Sequence, residues 1–499
     1  MTNQSSNRQN ASQEPLPEAH PSMSDTSLAY LGATQLTALY AARKISPVEV
    51  VSELLSRIEA SAATLNAVCF TYAEEALEAA RQSEARYMSG AQKPGRIDGV
   101  PTALKDGTMM AGKVTTYGSL LYADHVAAKS APVVQRLVEA GAVIHARTTT
   151  PEFSCAPFCH SRQWGVTRNP WNPAFTPGGS SGGSGAALAA GLAPLATGSD
   201  IGGSIRIPAS ASGVVGFKPP YGRVPSTPPF NLDPYNHPGP MARTVEDCLL
   251  MQNVLAGPHP EDIASLKPKL ELRLDRSEVK GWKIAYSLDF GFMQIDPAVR
   301  ANTLAALEVF RALGAEVTEV ALPWSWEVYR AAATHHRALF GAWLAEYLDE
   351  REDRLTSYAR RFARESLATT TRDYLAGMEV EGRIWSHFGP MMEGFDLFLC
   401  PTLAIPAVPA EFDFSDPLVI NGQQIDSYLG WTMALPFNML SRCPVLSVPS
   451  GHAPNGVPTG IQLVGRTYDD QTVFTAGLAY EAATGGWYGT AATRPSLPF

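Results

Sequence analysis

Two glycine-rich segments that lie close together in the chain restrict its fold more than any other feature. The first is Gly-Gly-Ser-Ser-Gly-Gly-Ser-Gly at residues 178–185, and the second is Asp-Ile-Gly-Gly-Ser-Ile-Arg at residues 200–206. Glycine loses more conformational freedom on folding than any other residue, so such runs disfavour regular structure. We therefore expect two tight loops here, with a short helix from near Ser184 to Gly191 between them.

The two segments offer three candidate nucleophiles. Ser180 and Ser181 each satisfy the G-x-S-x-G pattern of a nucleophile elbow. Ser204 follows two glycines whose N–H groups can converge on one point, as an oxyanion requires. An α/β-hydrolase would use Ser180 or Ser181 with a later Asp and His, and the chain keeps this alternative open with His237, His335, His336, His387 and His452.

Other classes of ligand are disfavoured. Neither G-x-x-x-x-G-K-[ST] nor G-x-G-x-x-G occurs around these glycines, so we expect no nucleotide cofactor. The pair Cys155 and Cys159 with His160 has zinc-like spacing, but structural zinc usually needs a second ligand pair and the chain offers none. We therefore expect no metal and no other cofactor.

Charge and hydropathy restrict partners and location. Lys and Arg number 39 against 48 Asp and Glu, a net charge of -9 without a basic stripe, so no nucleic-acid partner is expected. No run approaches the roughly 18 apolar residues of a membrane span, so no membrane partner is expected. Residues 1–26 are polar without an apolar core, which predicts a disordered tail rather than a signal peptide and, by default, a cytoplasmic protein.

The remaining pattern predicts an α/β fold with a mixed or largely parallel sheet, and a length of 499 residues allows one large domain or two or three ordinary ones. Ser46-Pro47-Val48-Glu49 is typical of a helix N-terminus, and residues 133–138 and 299–310 have helical periodicity. Short apolar runs predict strands at residues 142–144, 284–286, 397–399, 445–448 and 461–464.

Residues 323–393 interrupt this alternation. The segment is helical in pattern and rich in aromatic residues, namely Trp324, Trp326, Tyr329, Phe340, Trp343, Tyr347, Tyr374 and Trp385. Aromatic residues at helical spacing usually belong to a core. A block of this kind between two strands is also a candidate lid or substrate wall, so we expect it near the substrate entrance.

From residue 178 to residue 225 the chain resembles the amidase signature family. That family's pattern runs G-G-S-S-G-G, then G-S/T-D-x-G-G-S-I-R-x-P, then G-x-K-P-x-x-G-R, and all three parts are present. The resemblance extends upstream to G-V-P-T-A-L-K-D at residues 99–106 and to residues 167–173, and downstream to residues 458–466. It covers nearly everything after the tail, and it implies that residues 27–499 form one large domain around a mixed, mostly parallel sheet covered by helices.

The resemblance implies a Ser-Ser-Lys triad in an enzyme without a cofactor. On the matching positions, Ser204 is the nucleophile, Ser180 is the bridging serine held by a cis peptide, and Lys105 is the base. The oxyanion hole is formed by the N–H groups of Ile201, Gly202, Gly203 and Ser204. Ser181 orders the loop, and Asp200 and Arg206 brace it as an ion pair. A lysine is a base only when neutral, so Lys105 must be buried.

Regions in which the family varies are the candidate substrate walls. The residues expected there are Tyr117, Phe153, Ser154, Cys155, Phe158, His237, Trp431 and Phe437. Their apolar character favours a small-molecule amide with a hydrophobic or aryl body, such as an anilide, and aryl carbamates and esters share the same acyl chemistry. A homodimer is the candidate assembly. The alternatives are an amidotransferase A-type subunit with partner proteins, an aliphatic amidase, and a binding module without activity.

Overall fold

The computed structural model describes residues 27–90 and 93–497 of the chain. The tail predicted for residues 1–26 lies outside the described residues. Within the described ranges, no helix combines the length and the apolar character needed to span a bilayer.

One large sheet of eleven strands forms the centre of the molecule, in the order β1-β3-β2-β6-β8-β7-β14-β15-β11-β9-β10. Two short hairpins, β4-β5 and β12-β13, lie outside it. The strands are β1 (Val68–Thr71), β2 (Pro101–Lys105), β3 (Val143–Thr148), β4 (His160–Ser161), β5 (Gly165–Val166), β6 (Leu195–Asp200), β7 (Val215–Lys218), β8 (His237–Ala242), β9 (Lys283–Tyr286), β10 (Glu316–Glu319), β11 (Leu397–Pro401), β12 (Leu418–Ile420), β13 (Gln423–Ile425), β14 (Val445–His452) and β15 (Pro458–Val464).

The expected mixed α/β sheet is confirmed, and its parallel strands fall into two blocks. One block is β3-β2-β6 and the other is β11-β9-β10. Between the blocks, β8, β7, β14 and β15 pair antiparallel with their neighbours. All five strands expected from apolar runs are present as β3, β9, β11, β14 and β15.

Helices cover the sheet, and the helical periodicities expected at residues 133–138 and 299–310 are confirmed as α4 and α8. The α-helices are α1 (Ala33–Ala41), α2 (Pro47–Leu65), α3 (Ala73–Ser89), α4 (Pro132–Glu139), α5 (Gly182–Ala189), α6 (Arg206–Ser212), α7 (Val245–Leu255), α8 (Pro297–Ala312), α9 (Trp326–His336), α10 (Ala342–Ala345), α11 (Leu348–Arg351), α12 (Ser357–Leu367), α13 (Thr371–Met392), α14 (Pro436–Met439) and α15 (Asp470–Ala483).

Helix α2 shows how local sequence fixes an element. The Ser46 side chain accepts from the Val48 N–H at 3.0 Å, and the Glu49 carboxylate accepts from the Ser46 N–H at 2.8 Å. This capping box satisfies two N–H groups that the first turn leaves without a helical partner. Val50 and Leu54 are then buried on the inner face of the helix.

Helix α5 begins at Gly182, two residues earlier than expected, so half of the first glycine-rich segment is helical. The expected loop is therefore too long by Gly182 and Gly183, and the reason is the close approach of α5 to the end of β3. A Cβ placed on Gly183 would lie 2.4 Å from the Thr149 backbone nitrogen. Glycine is required here to let a helix lie against a strand, rather than to break the helix.

The parallel pairing of β2 with β6 determines where the chemistry can lie. Thr102 and Ala103 of β2 pair with Leu195 and Ala196 of β6. The carboxyl ends of parallel neighbours meet at one edge of a sheet, where open α/β folds bind their ligands. Strand β2 ends at Lys105, and β6 ends at Asp200, the first residue of the second glycine-rich segment.

Candidate active site

Lys105 lies at the carboxyl end of β2, with its amine enclosed by hydroxyl groups. Its Nζ is 2.6 Å from Ser180 Oγ and 2.9 Å from Ser199 Oγ, and its side chain is only 2% exposed. Its backbone N–H donates to Thr197 Oγ1 of β6 at 2.9 Å, which ties the two strand ends together. The amine is thus held in one position by neighbouring elements.

Burial lowers the pKa of Lys105 from its usual value to about 7. The nearby Cys159, Asp200 and Asp106 act in the opposite direction, but burial outweighs them. Desolvation disfavours the charged ammonium, so a large fraction of Lys105 is neutral near pH 7. A neutral amine carries the lone pair that a base requires.

Ser180 lies in the turn before α5, and its neighbours connect it to the second glycine-rich segment. The Gly179–Ser180 peptide bond is cis, and Thr150 Oγ1 donates to the Ser180 carbonyl at 2.9 Å. The Ser181 N–H donates to the Ser204 carbonyl at 3.2 Å. Ser181 Oγ accepts from the Ser199 N–H at 3.3 Å, so the two segments lie side by side.

The loop that contains Ser204 folds around the Asp200 carboxylate. Oδ1 accepts from the Gly203 N–H at 2.8 Å and Oδ2 accepts from the Ile205 N–H at 3.3 Å. The expected oxyanion hole is corrected at Gly203, because its N–H is already used by this carboxylate. The loop amides that Asp200 does not take are those of Ile201, Gly202 and Ser204.

Gly203 has a different role, which is to shape the loop. Its φ is +113°, a region that side chains disfavour, and a Cβ there would lie 2.6 Å from Ala434 Cβ. The turn that presents Ser204 is therefore possible only with glycine at this position.

Arg206 joins Asp200 to the C-terminal half of the sheet. Its guanidinium contacts Asp200 at 2.9 and 3.0 Å and donates at 2.7 Å to each of Ala434 O, Gln462 Oε1 and Asn438 Oδ1. Burial acts to raise the pKa of Asp200, but the charge and hydrogen bonds of Arg206 hold the pKa below its usual value. The carboxylate stays ionised, as its two accepted N–H bonds require.

Two residues of this site were not assigned from the sequence, Ser199 and His336. Ser199 is the second hydroxyl on Lys105. His336 Nε2 donates to the Ile201 carbonyl at 2.8 Å, and burial, followed by His335, lowers the pKa of His336 to about 4. The ring is therefore neutral near pH 7 and donates from Nε2. Because a trans peptide is planar, fixing the Ile201 carbonyl directs the Gly202 N–H the opposite way.

Two adjoining cavities meet at this site. The large cavity has a volume of about 320 Å³ and includes Lys105, Ser180 and Ser199 in its lining. The small cavity has about 60 Å³ and includes Ser204, Gly202 and His336. Both are also lined by Ser154, Ile201 and Phe340. The aromatic residues of the large cavity are Tyr117, Tyr122, Phe153, Phe230, Phe340 and Trp343.

Half of the expected substrate wall lies at these cavities. Tyr117, Phe153 and Ser154 line the large cavity, and Ser154 and Cys155 line the small one. Phe340 and Trp343 place part of the aromatic segment 323–393 there as well.

The other four expected wall residues are corrected, since they do not line either cavity. Phe158 stacks on His160 at 4.6 Å, and Trp431 and Phe437 are fully buried in the core. His237 is buried in β8, opposite Asp200 of β6. Burying a large apolar ring stabilises the fold most when the ring is completely removed from water. A sequence pattern does not distinguish a ring buried in this way from a ring in a cavity wall.

Comparisons with known proteins agree with this geometry. The Amidase family matches residues 49–474. An acylamidase of Rhodococcus erythropolis is 32% identical over 92% of this chain and 97% of its own. The A-type subunit of the glutamyl-tRNA(Gln) amidotransferase of Chloroflexus aurantiacus is 33% identical over 92% and 98%. The crystal structure of a bacterial aryl acylamidase of the amidase signature family superposes with a TM-score of 0.88, at 30% identity, over 94% of this chain and 99% of that one.

Proposed function

This chain belongs to the amidase family, and from that premise we propose that it is a serine amidohydrolase for hydrophobic or aryl amides of the anilide type. The catalytic residues of the proposal are Ser204 as nucleophile, Ser180 as proton relay and Lys105 as base. Aryl carbamates and aryl esters are further substrates in this proposal, because they form the same kind of acyl-serine.

In the acylation step, Ser204 Oγ attacks the amide carbonyl carbon and the carbonyl oxygen becomes an oxyanion. The Ser204 proton passes to Ser180 Oγ, and the Ser180 proton passes to neutral Lys105. The N–H groups of Ile201, Gly202 and Ser204, which Asp200 does not take, are the candidate donors to the oxyanion. When the C–N bond breaks, the leaving nitrogen takes a proton from Ser180, which regains one from Lys105.

In the deacylation step, a water molecule attacks the acyl carbon and gives a proton to the same relay. The bond to Ser204 Oγ breaks, Ser204 regains its proton, and the carboxylic acid leaves. Acid and base are thus supplied by one lysine in both halves of the cycle, without a cofactor.

A single observation carries the proposal: a buried lysine, bonded to Ser180 and Ser199, has its pKa lowered by burial to about 7. A lysine in water stays charged near pH 7 and cannot accept a proton. Titratable groups with such shifts are concentrated at functional sites.

Replacing the nucleophile tests the assignment. We expect Ser204→Ala to lower kcat for acetanilide by at least roughly 10³-fold, as for other serine nucleophiles, and to abolish labelling by a fluorophosphonate, with mass spectrometry locating the label on Ser204 in the native chain. Ser184→Ala is the matched control, because this serine of the first glycine-rich segment bonds Thr148 and Thr197 rather than a residue of the triad. Label on Ser180 or Ser181 instead would support the α/β-hydrolase alternative.

A second candidate function is that of an amidotransferase subunit, which the likeness to the Chloroflexus aurantiacus protein favours. The lining of the two cavities weighs against glutamine as substrate. Among the described residues of that lining, Lys105 is the only one of the Asp, Glu, Lys and Arg types. The ammonium of glutamine would have no ionic partner, and the only candidate partner of its carboxylate is Lys105, which must stay neutral to act as the base. Hydrolysis of glutamine but not of acetanilide by the purified chain would favour this second function.

A further inference from the structure

The two cavities differ in size and in the triad residues that line them, and we infer that they divide the substrate: the small cavity binds the acyl group and the large cavity binds the amine. The substrates of this site are then arylamines that carry a short aliphatic acyl group, rather than aromatic acids joined to small amines. This inference rests on the proposed function and narrows it to one orientation of the amide.

The proton relay sets the orientation. Ser204, which holds the acyl group after attack, lines the small cavity. Ser180 and Lys105, which give the proton to the leaving nitrogen, line the large cavity. A proton donor must lie within hydrogen-bond reach of the atom that it protonates. The amine therefore leaves through the large cavity, and the acyl group stays beside Ser204.

Cavity volume limits the acyl group. A protein cavity of about 150 Å³ holds one benzene molecule. The small cavity, at about 60 Å³, is too small for a ring, whereas the large cavity, at about 320 Å³, accepts a ring with substituents. The small cavity therefore admits only acyl groups of a few carbon atoms.

The linings are compatible with this division, although they do not impose it. The small cavity is lined by Ile207, Leu429 and Leu435 together with the aromatic residues Phe340, Phe362 and Tyr428. In the large cavity, the ring centroids of Phe153 and Trp343 are 5.3 Å apart, edge to face, and those of Phe230 and Phe340 are 5.2 Å apart. Aromatic pairs favour offset and edge-to-face arrangements, so a further ring fits among them. The large cavity therefore suits an aryl amine, whereas the size of the small cavity, rather than its lining, limits the acyl group.

Reversed and lengthened amides test the orientation. We expect kcat/KM for acetanilide to exceed that for N-methylbenzamide and that for benzanilide by at least 100-fold. Along an anilide series from acetyl to hexanoyl, kcat/KM should fall once the chain outgrows the small cavity. Rates for N-methylbenzamide equal to or above those for acetanilide would overturn the inference.

Variants locate the effect in one cavity. Leu435 lies at the oxyanion loop, with Cδ1 3.3 Å from the position of a Cβ on Gly202. Leu435→Ala should raise the ratio of kcat/KM for hexanoyl anilide to that for acetanilide at least 10-fold. Trp343→Ala is the matched control, because Trp343 lines only the large cavity of the two. It should leave that ratio unchanged while favouring naphthylamides over anilides.

A filling variant covers the case in which Leu435→Ala does not fold. Ala156 lines the small cavity, and Ala156→Val should lower kcat/KM for butyryl anilide more than for acetanilide. An unchanged ratio would count against the inference.

The two levels of the proposal fail in different ways. If Ser204 takes the fluorophosphonate label and amides are hydrolysed, but aromatic acyl groups are preferred, the orientation is wrong and the amidohydrolase stands. If neither label nor hydrolysis is found for anilides, benzamides and aryl esters, the proposed function itself fails.

Discussion

At the scale of single residues, activity should follow the titration of Lys105. Only its neutral form accepts a proton, and burial lowers its pKa to about 7. We therefore expect kcat/KM for acetanilide to rise with pH up to about 7 and to level off above that value. Lys105→Met should lower kcat by on the order of 100-fold or more, the usual contribution of a general base.

Lys218 supplies a matched control for this pH profile. It is also buried, and burial lowers its pKa to about 7, but its Nζ donates to the Cys443 carbonyl and it does not line either cavity. Lys218→Met should keep the rise of kcat/KM near pH 7. If the rise of kcat/KM near pH 7 were lost in Lys218→Met but kept in the residual activity of Lys105→Met, the assignment of Lys105 as the base would be wrong.

Sequence reasoning reached some residues of the site and not others, for physical reasons. Lys105, Ser180 and Ser204 stand in long segments that resemble a known family. His336 was one of several histidines without context, because its partner Ile201 is 135 positions away and is a carbonyl, which every residue has. Trp431 and Phe437 were expected at a wall because exposure cannot be read from residue type.

At the scale of elements, α9 should affect kcat because it positions the oxyanion loop. His336 at its end holds the Ile201 carbonyl, and with it the direction of the Gly202 N–H. We expect His336→Phe to lower kcat for acetanilide by about 10- to 100-fold with little change in KM, since a misplacement of about 1 Å can cost as much. His336→Gln keeps an N–H donor and should recover most of the rate.

The comparison of these two variants separates positioning from packing. A defect of packing alone would affect Phe and Gln variants alike and would change KM and thermal stability with kcat. Equal losses in the two variants would therefore contradict the assigned role of His336.

At the scale of the whole molecule, the two buried lysines should make stability depend on pH. An unfolded lysine keeps its proton up to about pH 10.5, whereas the folded pKa is about 7 for both. Between these values the unfolded chain binds more protons, so each lysine makes the free energy of unfolding rise with pH by about 1.4 kcal/mol per unit.

The difference between a variant and the native chain isolates this effect. The free energy of unfolding of Lys218→Met, minus that of the native chain, should fall by about 1.4 kcal/mol per pH unit above pH 7 and be flat below it. Urea unfolding at pH 6, 7, 8 and 9 measures this slope. A difference that does not vary with pH would mean that Lys218 is not neutral in the folded chain.

Arg206 connects distant parts of the chain, so its loss should lower the stability of the whole fold. Arg206→Leu leaves the buried Asp200 carboxylate without its partner and should lower the free energy of unfolding by about 3–5 kcal/mol. Arg383→Ala is the control, because its ion pair with Glu327 is half exposed and should change stability by less than about 0.5 kcal/mol. Similar losses in the two variants, measured by urea unfolding, would contradict this account.

The fold as a whole was predictable as α/β, because apolar runs and helical periodicities alternate along the chain. The arrangement of parallel and antiparallel pairs was not, since β6 and β8 become neighbours through contacts between distant residues. Helix α5 shows the same limit, because the sequence around Gly183 gives no sign of the Thr149 backbone beside it.

Helix α9, the π-helical turn Arg337–Gly341 and α10 follow one another without a break. His336, Phe340 and Trp343 therefore reach the oxyanion loop and the cavity walls from one continuous rod. Substitutions that shift this helical segment to widen the large cavity for a bulkier amine would also change the orientation of the His336 ring. A new specificity gained in this way should be accompanied by a lower kcat, until a second substitution restores the orientation of the imidazole.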